Sequence, residues 1–500
     1  MASLLVASGS VCCSGDPPTV PSPSLTNAAG ADAIVPNPPA TIPDAAVVPV
    51  ADAAGPSAVA DASGDAAPEP SEPTSVVAEP SDEAAYIYDQ QALRTYELVL
   101  AQADLATLDA DPAAEQYVSG MLRFEGRDYG PVGIRYKGSA GAFIRCVSGG
   151  SIEGPSGPKI CRKLSMKVAF DFVDPDGRFY GLRKLQFHAM RNDNSLMRER
   201  LAYALFREMG VPAPRAVHAR LLINGTLEGA FVLVEQIDGR FTRSRFTDGG
   251  EGNLYKEVWP MHDMAQTYLD ALETNEDDAP SAAHMVALTN ALQAASGTAL
   301  VDVIDTHLGR DAITTYLAVD RAIGHMDGPL AFYCNMPLGQ GNNPGAFGNH
   351  NYYWYEATAV PRFWIIPWDL DFAFNGLGSS GQGGAAWYEP ASGMACECPA
   401  GGQGGGPGGL RRRPAACDKL VQGLALLRDD YEGQVRAFVA GPFRAEAVNA
   451  KLDAWSTQIA ELVAEQAEDP EQQLPVQTWQ SAVVSFRQTV EMLRAAASVP

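Results

Sequence analysis

One segment of the chain alternates strictly between apolar and polar side chains. In KLSMKVAFDF, apolar residues occupy every second position from Leu164 to Phe170, and the alternate positions begin with the polar residues Lys163, Ser165 and Lys167. Because successive side chains of a strand point to opposite faces, the pattern predicts a β-strand with one buried and one polar face. The two lysines are predicted to share the polar face.

A helical period follows this strand. Leu201, Leu205 and Met209 recur at the spacing of one helix face. Asn194 or Ser195 precedes the periodic run and is a candidate cap for its first turn. The pattern predicts a helix of about three turns, packed by one apolar side.

The remaining patterns place strands before helices. Asn224-Gly225 between two apolar runs predicts a β-hairpin, and a second helical period ends near Asp327. The segments NYYWYEA and RFWIIPWDL read as two paired strands, and Asp418–Ala497 reads as mostly helical. This order predicts an α+β fold with a sheet-rich lobe and a helical lobe.

Charge is distributed unevenly along the 500 residues, whose formal net charge is −24. An acidic chain is a poor partner for phosphate backbones, which argues against nucleic-acid binding. Residues 1–84 hold eleven acidic residues, no Lys or Arg, and fourteen of the 36 prolines. Such a composition cannot bury enough apolar surface to fold, so residues 1–84 are predicted to be a disordered tether.

The N-terminus and the cysteines bear on where the protein acts. The start, MASLLVASGSVCC, is either an unstructured beginning or the remnant of a secretion or lipoprotein signal with Cys12 or Cys13 as anchor. No segment is long enough to be a transmembrane helix. The chain has no C-x-x-C pair, which argues against a zinc site, and Cys146 and Cys161 flank a Gly/Ser-rich loop that a disulfide could close.

Two aspartates interrupt an aromatic and apolar run. Asp369 and Asp371 lie in FWIIPWDLDFAFNG, and on a strand they would point the same way. Two carboxylates on one face repel unless a cation lies near them, and oxygen ligands favour Mg²⁺ or Mn²⁺ shared with substrate phosphates. The alternative is a strand end with one capping and one exposed aspartate.

Other residues extend this pair to a set that suits phosphoryl transfer. Lys163 and Lys167 could neutralise phosphate charge or form a solvated strand edge. Glu199 could pair with such a lysine or lie on the surface. Asp327 could orient an attacking hydroxyl or start a turn, and Asn351 could supply a neutral oxygen to a metal. The usual kinase signatures GxGxxG, HRD and DFG are absent.

Several segments together carry a resemblance to a known family. The sequence resembles the CotH kinase family, named for spore coat protein H, over roughly residues 90–376. The resemblance implies a divergent protein-kinase-like two-lobe fold, ATP, a divalent metal and phosphorylation of protein hydroxyls. The matching segments are GIRYKGSAG, KLSMKVAFDF, GLRKLQFHAMRNDNSLMRERLAYALFREMGVPAPRA, LLINGTLEGAFVLVEQIDGRF, GNLYKE and FWIIPWDLDFAFNG.

The resemblance also assigns roles to positions that carry chemistry. It implies Asp327 as the catalytic aspartate and Asp369 as the metal-binding one. Asp371 and Asn351 would complete the metal environment. Because the segment after Asp327 is longer than in ordinary kinases, Asn335 is a rival for the Asn351 role.

The nucleotide contacts follow from the same resemblance. Lys163 or Lys167 resembles the lysine that binds ATP phosphates, with Lys163 favoured by the family pattern and Glu199 as its partner. Glu235 falls where the connection between lobes lines the adenine pocket, mostly through backbone. If neither strand lysine binds phosphate, Lys137 or an arginine would take that role.

These expectations combine into a main hypothesis and two alternatives. The chain is predicted to have a tether (1–84), a CotH-like kinase domain (85–409) and a C-terminal helical part of that domain (410–500). It would transfer the ATP γ-phosphate to Ser or Thr of an extracytoplasmic or surface protein. The alternatives are a non-catalytic CotH-like surface or adhesion protein, and a metal-dependent nucleotide-sugar transferase.

Overall fold

The computed structural model of the chain contains a closed barrel of seven strands. The structure describes residues 82–138, 140–150, 154–276, 280–334, 348–358, 360–375, 396, 412–469 and 474–498. The strands are β1 (Arg94–Leu100), β2 (Val118–Phe124), β3 (Arg127–Tyr136), β4 (Val147–Gly150), β5 (Pro155–Lys159), β6 (Met166–Ala169), β7 (Lys184–His188), β8 (Ala216–Ile223), β9 (Thr226–Val234), β10 (Asn253–Lys256), β11 (Tyr352–Glu356) and β12 (Phe363–Pro367). The barrel order is β1-β2-β3-β6-β7-β9-β8, and parallel pairing of β1 with β8 closes it.

Alternate side chains of the barrel strands fill its interior. Leu98, Leu122 and Ile134, on β1, β2 and β3, are fully buried there. The alternation predicted for β6 is confirmed for Met166 and Val168, which join the same core. The strand begins only at Met166, so the predicted strand is too long at its start.

The predicted hairpin around Asn224-Gly225 is confirmed as β8 and β9. Asn224 and Gly225 have φ of 48° and 79°, the left-handed backbone that a tight hairpin turn between twisted strands requires. Both faces of β9 are buried, because Leu233 points into the barrel and Val232 points to the helices outside it. A strand covered on both sides reads as a continuous apolar run, as β9 does.

The helices follow and intersperse the strands. They are α1 (Ala84–Ile87), α2 (Gln102–Ala110), α3 (Ala140–Phe143), α4 (Arg198–Glu208), α5 (Gly239–Arg245), α6 (Ala265–Leu269), α7 (Ala283–Ala294), α8 (Ala299–His307), α9 (Arg310–Ala322), α10 (Lys419–Ala425), α11 (Arg428–Ala440), α12 (Ala445–Ala467) and α13 (Val476–Ala497). The helices predicted after Ser195, before Asp327 and after Asp418 are confirmed. Because α9 ends at Ala322, a short loop carries Asp327.

Helix α12 covers the outer face of β9. Its Gln466 side chain accepts a hydrogen bond from the Ala230 backbone N–H at 3.0 Å. On α4, the fully buried Arg200 donates to the Gln90 carbonyl at 2.8 Å and to Gln458 on α12 at 2.7 Å. The C-terminal helices and the segment before β1 are thereby joined through α4.

A separate three-stranded antiparallel sheet lies among the helices. The two paired strands predicted from NYYWYEA and RFWIIPWDL are confirmed as β11 and β12, with Tyr353 opposite Ile366. β10 pairs with the other edge of β11, with Tyr255 opposite Trp354. All five residues of β11 are buried, and Tyr352, Tyr353, Trp354 and Tyr355 belong to the core formed with the helices.

The α+β class predicted from the sequence is confirmed. The buried apolar residues form two clusters, one inside the barrel and one among the helices and the three-stranded sheet. A kinase-like two-lobe arrangement stays a prediction. The predicted disulfide between Cys146 and Cys161 is present, and a second joins Cys396 to Cys417.

Some predictions fall outside this description. The tether through residue 81, Cys12, Cys13 and Asn335 lie outside the described residues. Within the described residues, none of the helices combines the length and the apolar character needed to cross a membrane.

Candidate active site

Helix α4 begins at a buried aspartate and brings Glu199 into the interior. The Asp193 carboxylate accepts hydrogen bonds from the backbone N–H groups of Ser195, Met197 and Arg198 at 2.9, 2.8 and 2.9 Å. These bonds satisfy donors that the first helical turn leaves without partners. Asp193 therefore supplies most of the capping bonds, and Ser195, one of the two predicted caps, adds a longer one because its Oγ accepts from the Met197 N–H at 3.3 Å. Glu199 in its first turn is 2 % exposed, so it is not a surface residue.

Lys137, His188 and Glu199 form a hydrogen-bonded line across three elements. Lys137 follows β3, His188 ends β7, and Glu199 lies on α4. The Lys137 ammonium Nζ is 2.7 Å from His188 Nε2, and His188 Nδ1 is 2.6 Å from Glu199 Oε1. The lysine is therefore joined to the helix glutamate through an imidazole.

Asp369 and Asp371 lie just beyond β12 rather than on it. Asp369 has φ 48° and ψ 64°, and its backbone N–H donates to the Tyr203 hydroxyl at 3.1 Å. Asp371 lies in the 3₁₀ turn Leu370–Phe372. The prediction that both aspartates share one face of a strand is thus wrong. The left-handed backbone at Asp369 instead turns the chain sharply after the buried strand.

Asp369 lies close to His188 and Glu199, at the Glu199 end of the line Lys137–His188–Glu199. One ligand atom from each of His188, Glu199 and Asp369 lies within 4.8 Å of the others, and within the described ranges this is the one such group of His, Cys, Asp and Glu. Trp368 forms one wall, with its ring centroid 5.3 Å from Lys137 Nζ and its edge-to-face contact with His188 at 5.7 Å.

The side chains of Glu199, Asp369 and Asp371 bring three carboxyl groups near a single lysine, Lys137. Burial and the nearby Asp369 carboxylate raise the pKa of Glu199 well above its ordinary value. The pKa of Asp371 is also raised well above its ordinary value by burial, Asp369 and Glu199. Burial lowers the pKa of Lys137, although Asp369 and Glu199 oppose this effect. Three neighbouring carboxylates beside one ammonium favour the binding of a further cation.

Asp327 is held by hydrogen bonds on both carboxylate oxygens. Oδ1 accepts from the Tyr333 hydroxyl and from His350 Nε2, the latter at 3.1 Å. Asn351 Nδ2 donates to Asp327 Oδ2 at 3.2 Å. Burial raises the pKa of Asp327, but the hydrogen bonds and charge of His350, together with Tyr333, outweigh it and leave the pKa below its ordinary value. Asp327 is therefore ionised at neutral pH.

Asn351 anchors the Asp327 loop. Its side-chain amide also donates to the Asp327 carbonyl at 2.9 Å, and its backbone N–H donates to Glu257 Oε1 at 3.2 Å. The predicted role of Asn351 as a metal ligand is untested, and the described contacts direct its amide to Asp327. Asp327 contributes to the raised pKa of Asp371, so the two aspartate groups are within electrostatic reach.

The two strand lysines have different surroundings. Lys163 donates to the Ala230 carbonyl, and its Nζ is 4.4 Å from the Phe231 ring centroid. These contacts are not with Glu199, Asp369 or Asp371. The structure thus does not bring Lys163 to the site. Lys167 lies on the outer face of β6, where burial and the charges of Lys184 and Lys137 lower its pKa to about 7.

Glu235 is occupied by arginines. Its carboxylate accepts from Arg215 at 2.6 Å and from Arg245 at 2.9 Å, and Arg240 is 3.5 Å away. Burial raises the pKa of Glu235, but Arg245 and Arg215 outweigh burial and lower it. The Glu235 side chain therefore stabilises the connection from β9 to α5. Its contacts are with these arginines and not with Lys137, Glu199 or Asp369.

Sequence reasoning did not identify four contributors to this site. Lys137 was only a fallback, and His188, Tyr333 and His350 were not singled out. A usable signal existed for His188, because KLQFH alternates and places its imidazole on the face opposite to the buried Leu185 and Phe187. For Tyr333, the sequence offers no comparable signal.

Comparison with known proteins agrees with the motifs. The family model described as CotH kinase protein matches residues 134–494, so the chain belongs to the CotH kinase family. It is 47 % identical over 55 residues to the inner spore coat protein H-like protein of Bacillus subtilis (strain 168), a match that covers 11 % of this chain and 18 % of the relative. It is 26 % identical over 297 residues to inner spore coat protein H of the same organism, covering 57 % of this chain and 69 % of the relative.

Proposed function

We propose that this protein is an ATP-dependent protein kinase that transfers the γ-phosphate to Ser or Thr hydroxyls of a protein substrate. The observation that carries the proposal is the line Lys137–His188–Glu199, which ends close to Asp369. Asp371, two residues further on, lies within electrostatic reach of the ionised Asp327. Phosphoryl transfer requires a cation for the phosphates, carboxylates for a divalent metal, and a carboxylate for the acceptor hydroxyl. Membership of the CotH kinase family supports the same chemistry.

The carboxylate oxygens of Glu199, Asp369 and Asp371 are suitable ligands for a divalent cation. Glu199 and Asp371 have raised pKa values because burial and neighbouring carboxylates disfavour their charged forms, and a bound cation would reverse this cost. Asp369, Asp371 and Glu199 would hold Mg²⁺ or Mn²⁺, and Lys137 would contact the phosphates. When bound, the metal and ATP supply charge neutralisation and the phosphoryl group.

Asp327 would orient the acceptor hydroxyl. Its carboxylate is ionised and can accept a hydrogen bond from the attacking O–H. The Tyr333 hydroxyl already donates to Oδ1, and this contact supports the proposal that the oxygen accepts from an O–H group. A Ser or Thr hydroxyl would take the place of Tyr333. Asn351 and His350 would hold the carboxylate still during the exchange.

The compartment is proposed from the relatives and the cysteines. Both Bacillus relatives are named as spore coat proteins or as similar to them. Two disulfides suit an oxidising compartment. We therefore propose that the protein acts outside the cytoplasm, on a cell or spore surface, and that Cys12 or Cys13 carries a lipid anchor.

Labelled ATP and paired variants test the function. The purified chain is incubated with γ-labelled ATP, Mg²⁺ or Mn²⁺ and a Ser/Thr-rich acceptor protein. Asp369→Asn should abolish transfer and weaken metal-dependent ATP binding. Asp327→Asn should lower the transfer rate about 100-fold or more and leave ATP affinity near wild type. Asp453→Asn, an exposed change on α12, is the matched control.

The outcomes separate the candidate functions. Wild-type turnover by Asp369→Asn would refute the site. ATP binding without transfer to any protein acceptor would favour the surface-binding alternative. Turnover of a nucleotide-sugar instead of ATP would favour the glycosyl-transfer alternative.

A further inference from the structure

His188 stands between the two residues that phosphoryl-transfer sites bring together. It is the last residue of β7 and is 5 % exposed. The imidazole contacts Lys137 through Nε2 at 2.7 Å and Glu199 through Nδ1 at 2.6 Å. Within the described residues, no hydrogen bond or ion pair joins Lys137 directly to Glu199.

The chemistry of the partners assigns the protons. A lysine ammonium has three donors and no acceptor, so His188 Nε2 accepts and carries no proton. A neutral imidazole carries one proton, which is then on Nδ1 and is donated to Glu199.

The backbone pins the lysine and the histidine to the same place. The Lys137 N–H donates to the Ser165 carbonyl at 2.9 Å, and the Ala189 N–H, next to His188, donates to Ser165 Oγ at 3.0 Å. The ends of β3 and β7 are thus fixed at one residue. Trp368 packs on Lys137 and His188 from the side of Asp369.

We propose that His188 is the positioning residue that holds the Lys137 ammonium at the phosphates of ATP, by linking it to Glu199 through a neutral imidazole. This inference rests on the proposed kinase function. It assigns the phosphate contact to Lys137 and makes that contact depend on the imidazole. Removal of His188 would leave a buried ammonium and a buried carboxylate without their shared partner, which is unfavourable for both.

Two substitutions distinguish positioning from packing. His188→Gln keeps an acceptor oxygen and a donor N–H at nearly the spacing of the two ring nitrogens, whereas His188→Leu keeps volume and removes both. Binding of a non-hydrolysable ATP analogue with Mg²⁺ is measured by calorimetry. We expect His188→Leu to weaken binding about 10- to 100-fold and His188→Gln to weaken it about threefold or less.

The matched control is a second buried histidine with bonds at both nitrogens. His218 lies 2.8 Å from Arg200 and 2.7 Å from the Leu196 carbonyl. His218→Leu should lower the melting temperature without changing the ATP-analogue affinity. A double-mutant cycle adds Lys137→Met, in whose background His188→Leu should have no further effect on affinity. Independent, multiplying effects would overturn the link.

Nitrogen NMR of histidine-labelled protein tests the link without nucleotide. The spectrum of His188 should show a neutral ring with the proton on Nδ1, and Lys137→Met should shift the Nε2 resonance. A proton on Nε2 or a charged ring would overturn the proposal, as would a folded His188→Leu protein with wild-type ATP affinity. Wild-type protein that binds no ATP would instead refute the proposed function, together with any role of the link in holding phosphates.

Discussion

Replacing Lys163 with methionine separates a buried structural lysine from a phosphate-binding one. Lys163 donates to the Ala230 carbonyl and lies against the Phe231 ring. Burial lowers its pKa from 10.5 to about 7, with Glu228 opposing the shift. Methionine has a similar length and no charge. The substitution should therefore alter the pH dependence of stability and leave ATP affinity unchanged.

The sign and size of this effect follow from proton linkage. Between about pH 7 and pH 10.5 the unfolded chain holds a proton on Lys163 that the folded chain has released. Stability of the wild type therefore rises with pH in this window, by up to about 1.4 kcal/mol per pH unit, and is insensitive to this group below it. The methionine variant lacks this contribution. Its stability relative to wild type should fall by the same amount per unit as pH rises.

A second effect is independent of pH. The variant loses the donor to the Ala230 carbonyl, at a cost of about 1 to 3 kcal/mol. This cost offsets part of the gain from removing a buried charge, which is at most about 4 to 5 kcal/mol for a shift from 10.5 to about 7. The informative quantity is therefore the slope with pH, since the offset at any one pH combines two opposing contributions.

Urea unfolding followed by circular dichroism measures this slope. Wild type and Lys163→Met are compared at intervals of about one unit from about pH 6 to about pH 10. Lys451→Met, which removes a surface lysine paired with Glu208 at 3.0 Å, reports the general effect of losing a lysine. A stability difference that does not change with pH would refute the reasoning. A large loss of ATP affinity in Lys163→Met would indicate instead that Lys163 binds the ATP phosphates.

Two further changes test the acceptor position and the start of α4. Tyr333→Phe removes the hydroxyl that donates to Asp327 Oδ1. It should lower the KM for the protein acceptor about 3- to 10-fold in steady-state kinetics, without changing ATP affinity. A raised KM would mean that Tyr333 supports Asp327. Asp193→Ala removes the carboxylate that three backbone N–H groups share, of which only that of Met197 keeps a second acceptor, Ser195 Oγ at 3.3 Å. It should lower the free energy of unfolding by about 1 to 3 kcal/mol in urea melts, with partial recovery in Asp193→Asn. A loss below about 0.5 kcal/mol would contradict the capping role.

Elements defined by local signals were predictable from the sequence. The β8–β9 hairpin follows from Asn224-Gly225, because those residue types adopt the left-handed backbone that the turn requires. Helix α4 and the pair β11–β12 follow from periodicity over adjacent residues. The closure of the barrel, by β1 against β8, joins segments more than a hundred residues apart and has no local signature.

The candidate site was only partly predictable for a related reason. Asp327, Asp369 and Glu199 are acidic residues within largely apolar segments, which the sequence makes visible. The choice of lysine depended on where β6 begins, and the strand starts three residues after Lys163. Lys137 meets His188 across a separation of 51 residues, so their contact depends on barrel registration rather than on spacing.

The contact between β9 of the barrel and helix α12 limits where the chain can be truncated. Helix α12 covers the apolar outer side of β9, and Gln466 satisfies the backbone N–H of Ala230 there. A fragment that stops after β12 would uncover the part of β9 on which α12 packs and leave that N–H unpaired. Such a fragment would tend to self-associate through the bared strand face. Recombinant production of a folded catalytic unit therefore needs α12, although the aspartates and Lys137 all precede it in the sequence.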